Sequence, residues 1–203
     1  MSLKTFEKLS ESFYQNDDVV HVARQLLGKM LITNIGGQLT GGYIVETEAY
    51  SWTERGCHAY QGKKTARNAV MFEKGGHAYV YLCYGIHHLF NVVTNRAGIA
   101  DAVLIRALEP ALGVEWMQQR RGENVPQKQL TSGPGKLSDA MGINRIINGK
   151  YLTGSEVWIA EAETQVRSSD IASATRIGID YAGDDAKLPW RFYLRDSLWV
   201  SKR

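Results

Sequence analysis

Glu46-Thr47-Glu48-Ala49-Tyr50 is a run in which residue type and spacing could support catalysis. Side chains alternate along a strand, so Glu46, Glu48 and Tyr50 share one face and Thr47 and Ala49 take the other. Carboxylates two residues apart then stand roughly 7 Å from each other. That separation suits acid/base work on one small substrate, or one catalytic and one structural carboxylate. A solvated strand face with cross-strand partners is the plain alternative. Position favours chemistry, because an acid at a strand's end beside a long basic loop is where a water-activating base would sit.

Other residues carry chemistry of a different kind. Tyr79 and Tyr81 fall on one strand face, the ordinary pattern of cross-strand packing. Tyr84 stands beside Gly85 at a hairpin apex. An exposed aromatic there, on a basic protein, is a candidate for stacking on or wedging between bases. Asn91 interrupts an apolar strand; a buried amide must be hydrogen-bonded, so it is either a structural link or a reader of a ligand's polar edge. His58 lies in the loop after Tyr50, within reach of the tyrosines or simply at the surface. Cys57-His58 is a poor nucleophilic pair, since sequence neighbours rarely align for proton transfer. His87 and His88 face opposite sides of a strand, and no CxxC or HExxH pattern exists, so no metal site is expected. Ser132-Gly133-Pro134-Gly135-Lys136 reads either as an anion nest at a helix N-terminus or as a plain loop-to-helix entry.

The elements that must position these residues follow from periodicity and punctuation. Asp18, an apolar 3.6-residue period and Gly28 predict a helix over residues 18–28. Residues 29–35 and 42–50 read as strands, with Gly36-Gly37 and Gly41-Gly42 bracketing a hairpin link. Residues 52–68 form a long polar loop, of the sort that is functional in compact domains. Residues 78–83 and 86–94 are strands around a tight turn at Tyr84-Gly85, and residues 102–107 continue the meander. Pro110 is expected to open a helix running to Gln119. Residues 127–135 form a loop, and residues 134–141 a short helix stopped by Gly142. Short strands are expected at 156–159 and 176–179, while the apolar stretch 190–200 has no clear state. Strands in the middle with helices at the flanks predict an α+β fold with a mainly antiparallel sheet, in one domain spanning residues 1–203. No GxGxxG follows a strand and no phosphate-binding Walker motif occurs, which excludes the common nucleotide-binding architectures.

Composition narrows the class further. The 203 residues are 44% hydrophobic and 22% charged, values of an ordinary globular chain rather than a disordered or fibrous one. No apolar run approaches the ~20 residues of a membrane helix, so no membrane partner is expected, and the first residues lack the apolar core of a secretory signal. Cys57 and Cys83 are too few for a disulfide framework, and a reducing, cytoplasmic setting is the expectation. Net charge is only +3, yet residues 55–74, 120–150 and 187–203 each carry a local excess of +4, offset by an acidic stretch at 161–185. Brought together by a fold, those segments would present a polyanion-binding face; left apart, they are solvated loops.

In chain order, these segments resemble the alkyladenine (3-methyladenine, methylpurine) DNA glycosylase family. The matching motifs are IVETEAY at 44–50, TARN at 65–68 with Met71-Phe72, and YVYLCYGIHHLFN at 79–91. VLIRALEP at 103–110, SGPGKLSDAMGIN at 132–144 and RFYLRDSLWV at 191–200 continue the series. The resemblance implies a compact α+β domain around a curved antiparallel sheet, acting as a monomer on double-stranded DNA that contains damaged purines, with no cofactor. If the source is bacterial, the setting is the nucleoid.

Residue by residue, it implies that Glu48 is the general base that activates water and that Arg106 is an active-site arginine close to that water. Tyr50, His58 and Tyr81 would hold the extruded base, Asn91 would clash with the guanine amino group, and Leu104 would line the adjacent pocket. Tyr84 would be the intercalating wedge, and Arg67, Ser132, Gly133 and Lys136 would contact phosphates. The loop from Tyr50 to His58 is one residue shorter than in vertebrate members. With water as nucleophile and no lysine at the matched site, the implied enzyme is monofunctional. Two rival readings are a non-catalytic nucleic-acid-binding module, which would not need Glu48, and a hydrolase of free nucleosides, which would not need Tyr84.

Overall fold

A computed structural model describes residues 6–162 and 165–203. Its centre is one antiparallel sheet. The strands are β1 (Met30–Ile35), β2 (Gln38–Tyr50), β3 (Ala78–Cys83), β4 (His87–Thr94), β5 (Asp101–Leu112), β6 (Val157–Ala160), β7 (Ile171–Ala174) and β8 (Arg191–Leu194). The main path runs β3-β4-β5-β2-β1-β6. β1 pairs with β2 as far as Tyr43, and β8 takes over pairing at residues 46–48 while β5 accompanies the other edge. The catalytic candidates of β2 therefore lie mid-sheet. β7 pairs only with β8.

The period-2 pattern sorts the sheet into two chemically distinct faces. Ala49, Ile105, Val103, Phe90, Val92, Ala78 and Val80 point into the main core. There they meet Val22, Ala23 and Leu26 from the helix α2 region (α2, Val19–Gln25), Met117 from α3 (Val114–Arg121), and Leu137, Ala140 and Met141 from α4 (Pro134–Met141). A preceding single turn, α1, spans Glu11–Tyr14. Truncating a buried ring such as Phe90 would cost about 3–5 kcal/mol in transfer and cavity terms. The core is pinned by polar links as well, since the Thr47 hydroxyl donates to the Ala23 carbonyl at 2.9 Å and that of Thr33 to Met141 at 2.8 Å. On the opposite face Tyr79, Val93 and Ala102 pack with Cys57, Ala59 and Met71 from the segment after β2.

The expected fold class holds, and several local expectations need correction. α2 starts where Asp18 accepts a hydrogen bond from the His21 N–H at 2.9 Å, as the capping pattern requires. The hairpin link is Gly36-Gly37 alone, both residues at positive φ. Gly41 and Gly42 lie inside β2, where a Cβ on Gly42 would meet the Glu109 carbonyl oxygen at 2.7 Å. Pro110 does not open a helix. β5 runs through it to Leu112, because the register shifts between Gly41 and Gly42, opposite Pro110, and a bulge tolerates a residue with no N–H. The helix begins only at Val114. Residues 176–179 are not a strand either, since the Ile177 N–H is committed to a side chain and Gly178 has φ +80°. The strand there is β7, five residues earlier. The β3–β4 turn includes Ile86, and the stretch 190–200 contributes β8.

Candidate active site

Cross-strand register aligns a row of functional side chains on the polar face. Glu48 of β2 is paired with Leu104 of β5, Leu104 with Asn91 of β4, and Asn91 with Tyr79 of β3. Directly opposed residues of an antiparallel sheet point the same way, so all four face one side. Compensating register shifts beside Glu46 leave Arg106 without a cross-strand partner. Bulges re-aim side chains, and this one sends the Arg106 guanidinium between two carboxylates.

The result is a buried ionic floor. Arg106 Nε donates to Glu46 Oε1 at 3.1 Å, and its Nη1 lies 3.2 Å from Glu48 Oε2. Glu46 is also held by Arg191 Nη1 at 3.0 Å and by the Ser201 N–H at 2.7 Å. Glu48 accepts from the Tyr50 hydroxyl at 2.8 Å and from the Ile177 N–H at 2.7 Å. Both carboxylates are fully buried. Burial works against the charge on Arg106, yet Glu48 and Glu46 outweigh it and hold its pKa above the ordinary arginine value. Burial and the neighbouring Glu48 push the Tyr50 phenol well up, so it remains a donor.

Above this floor opens a cleft of about 790 Å³, within the range of small-molecule sites. Tyr50, His58, Tyr81, Asn91, Leu104 and Arg106 all line it. His58 Nδ1 lies 2.9 Å from the Tyr79 hydroxyl, and its ring meets that of Tyr81 edge-on at 4.6 Å. Desolvation and, after it, the nearby Arg67 charge depress the imidazole to about 4, so it is neutral at physiological pH. Tyr79 is pushed up to about 12 by burial. Asn91 spends its Nδ2 on the carbonyls of Tyr79 and Leu89 and lines the cleft as well. The two readings of this residue, structural link and polar edge reader, are therefore compatible. Cys57 is buried, with its thiol raised to about 12 by burial, and is no nucleophile.

Glu48 itself lies just behind the cleft wall, reached through Tyr50 and Arg106. Ser132 also lies off the wall, bridging to Ala107. The remaining candidates gather at the rim. Tyr84 is 88% exposed at the tip of the β3–β4 turn, with φ +50°. Gly133 and Lys136 border the cleft at the N-terminus of α4, which no side chain caps. A Cβ on Gly135 would sit 2.8 Å from the His87 ring, so this glycine lets the turn end of the β3–β4 hairpin pack on the helix start. Arg67 lies over the Tyr81 ring at 5.1 Å. Among the described residues no cluster of His, Cys, Asp or Glu is arranged to hold a metal.

Several contributors escape the sequence reading. Ile177 and Tyr181 line the cleft, and Arg176, Arg191 and Ser201 support it from far along the chain. Their signal is weak because a buried arginine looks, in sequence, like any surface arginine.

The methylpurine-DNA glycosylase family matches residues 12–198 of this chain. Provisionally named 3-methyladenine DNA glycosylases are similar over nearly the whole length. That of Chlamydia felis is 47% identical over 188 residues, covering 92% of this chain and 95% of its own. That of Desulfitobacterium hafniense is 45% identical, covering 96% and 98%, and that of Carboxydothermus hydrogenoformans is 47% identical, covering 96% and 99%. A carboxylate floor beneath an aromatic cleft, with a basic rim that carries the exposed Tyr84, is in keeping with this match over most of the chain, and the chain belongs to the methylpurine-DNA glycosylase family, as a DNA glycosylase.

Proposed function

We propose that the cleft receives an alkylated or deaminated purine extruded from duplex DNA, of the 3-methyladenine, 7-methylguanine, hypoxanthine or ethenoadenine class. Its N-glycosidic bond is then hydrolysed by a water that Glu48 deprotonates. The observation that carries this reading is the coordination of Glu48. Tyr50, Ile177 and Arg106 each give it one donor, and a carboxylate offers about four lone-pair sites. One site is left for a water. Cleavage of the glycosidic bond builds oxocarbenium character at C1′, which a fixed carboxylate stabilises while it takes the proton from the attacking water. Arg106 keeps the carboxylate in place beside that water.

The remaining roles follow from chemistry and position. A base inside a duplex is out of reach, so the nucleotide must swing out at a cost of a few kcal/mol, least for a damaged pair. Tyr84, exposed at the turn tip, offsets part of that cost by filling the gap in the stack. Tyr50, Tyr81 and His58 contact the extruded base, and Asn91 with Leu104 shape the pocket against normal guanine. Arg67, Gly133, Lys136 and, from behind the wall, Ser132 hold the backbone phosphates. The protein acts as a monomer, and water as nucleophile makes the enzyme monofunctional.

The test is base release from a duplex carrying one hypoxanthine, scored as abasic sites after alkali treatment. Wild type releases the base, and strands stay intact until alkali is added. Glu48→Gln binds the same duplex but releases base about 100- to 10,000-fold more slowly, the usual weight of a general base. Release by Glu48→Gln at the wild-type rate would overturn the reading.

A further inference from the structure

Glu54 and Arg176 form a buried, two-pronged ion pair beneath the cleft, outside its wall. Arg176 Nη1 lies 2.6 Å from Glu54 Oε1 and Nη2 lies 2.8 Å from Oε2, with the two residues 5% and 3% exposed. Glu54 also accepts from the Gly56 N–H at 2.7 Å, and a Cβ on Gly56 would come within 2.9 Å of the same oxygen. Such a pair costs so much to desolvate that it adds little net stability over apolar residues of the same shape. What it adds here is geometry, because a fork-to-fork contact fixes orientation as well as distance.

That geometry leads to Glu48 by separate routes. Arg176 Nη1 also donates to the carbonyl of Ala49, the residue between Glu48 and Tyr50, at 2.9 Å. The guanidinium packs on the Tyr50 ring at 4.7 Å, and Tyr50 does line the cleft. The neighbouring peptide, Ile177, gives its N–H to Glu48 Oε1 at 2.7 Å. A second ring, Trp190, lies against the same guanidinium at 5.4 Å, and its carbonyl accepts from the Ala49 N–H at 2.9 Å. One buried cation thus touches the ring, the backbone and, through its neighbour, the carboxylate of the site.

We propose that the Glu54–Arg176 pair is a positioning device for the reaction, holding the Glu48 carboxylate and the Tyr50 ring in register without touching substrate. The inference rests on the reading of Glu48 as the base. A displacement of the order of 1 Å at such a site costs about 100-fold in rate, whereas the rest of the cleft wall, His58, Tyr81, Asn91 and Leu104, stays in place.

The experiment uses Glu54→Gln, which keeps the shape but removes the charge and turns one of the two acceptor oxygens into a donor, and Arg176→Lys, which keeps the charge but loses the fork and the stacking. Single-turnover base release at saturating enzyme and affinity for the hypoxanthine duplex are measured together, with active enzyme counted by stoichiometric binding. The expected result is a 10- to 100-fold fall in the release rate with affinity held within about threefold. Unchanged rates overturn the proposal, as does a rate loss matched by an equal loss of affinity. If Arg176→Lys does not fold, Glu54→Gln decides alone. A Glu54→Gln chain that also fails to fold overturns the proposal by making the pair a fold element. Glu48→Gln in the same assay separates the two claims: if it remains active, the base assignment fails. If it is inactive while both pair variants release base normally, only the positioning role fails.

Discussion

The floor and the rim of the cleft are built on opposite principles. The floor is buried, with Arg106 alone of its three charges reaching the cleft, and Glu46, Glu48 and Arg106 satisfy one another with help from Arg191, Ser201 and Ile177. The rim exposes Tyr84, Ile86 and Tyr181, carries a tyrosine in the left-handed region of backbone space, and leaves a helix N-terminus without a side-chain cap. Charges held dry and fixed act strongly on a transition state and need no reorganisation at the moment of reaction. Groups held in water and under strain gain their partners only when another molecule arrives. On the proposed function, bond breaking belongs to the floor and extrusion of the nucleotide to the rim.

Substitutions at the two levels should therefore differ in sign as well as size. Arg106→Ala removes the cationic partner of buried Glu48 and leaves Glu46 to Arg191 and Ser201, and unfolding experiments should show a loss of about 3–5 kcal/mol. A loss under 1 kcal/mol would mean that the floor is wetter than its burial implies. Tyr84→Gly should do the reverse. It relieves a positive φ that costs a tyrosine roughly 1 kcal/mol, so stability should rise or hold while release from a paired lesion falls at least tenfold. Loss of stability there would contradict the strained, solvent-facing rim.

Smaller effects sharpen the same division. Lys136→Ala should lower the slope of log affinity against log salt by about one, with discrimination between lesion and normal duplex unchanged. A titration of His58 followed by NMR should find its midpoint near 4, and Arg67→Gln should raise it. The sign follows from linkage. The folded value lies below the unfolded one of about 6.5, so the stability tied to neutral His58 is complete above about 6.5 and is lost as pH falls toward 4. The residue is exposed, and solvent screening keeps that contribution small.

Much of this organisation is legible in the sequence, and the exceptions have physical causes. Alternation alone places Glu46, Glu48 and Tyr50 on one face, and turn chemistry alone exposes Tyr84. Which carboxylate is left with the fewer donors is not legible. That choice is made by Arg191 and Ser201, which hold Glu46 from 145 and 155 residues away in sequence. Pro110 misleads because a bulge, itself a product of strand pairing, removes the penalty that proline normally imposes. Residues 176–179 look like a strand by composition, but the Ile177 N–H that a ladder would use is taken by Glu48. The short loop from Tyr50 to His58 still delivers the imidazole to Tyr79 and Tyr81. In each case a long-range contact decides what local pattern cannot.

The division between floor and rim is tested most directly by one rate comparison. Single-turnover release of hypoxanthine is measured from a fully paired duplex and from the same lesion placed in an unpaired bulge, using wild type, Glu48→Gln and Tyr84→Gly. The account predicts that Glu48→Gln is slow on both substrates, because the chemistry is missing whether or not extrusion is needed. Tyr84→Gly is slow on the paired duplex and approaches wild type on the bulge. Release by Glu48→Gln at wild-type speed from either substrate, or an equal deficit of Tyr84→Gly on both, would contradict it.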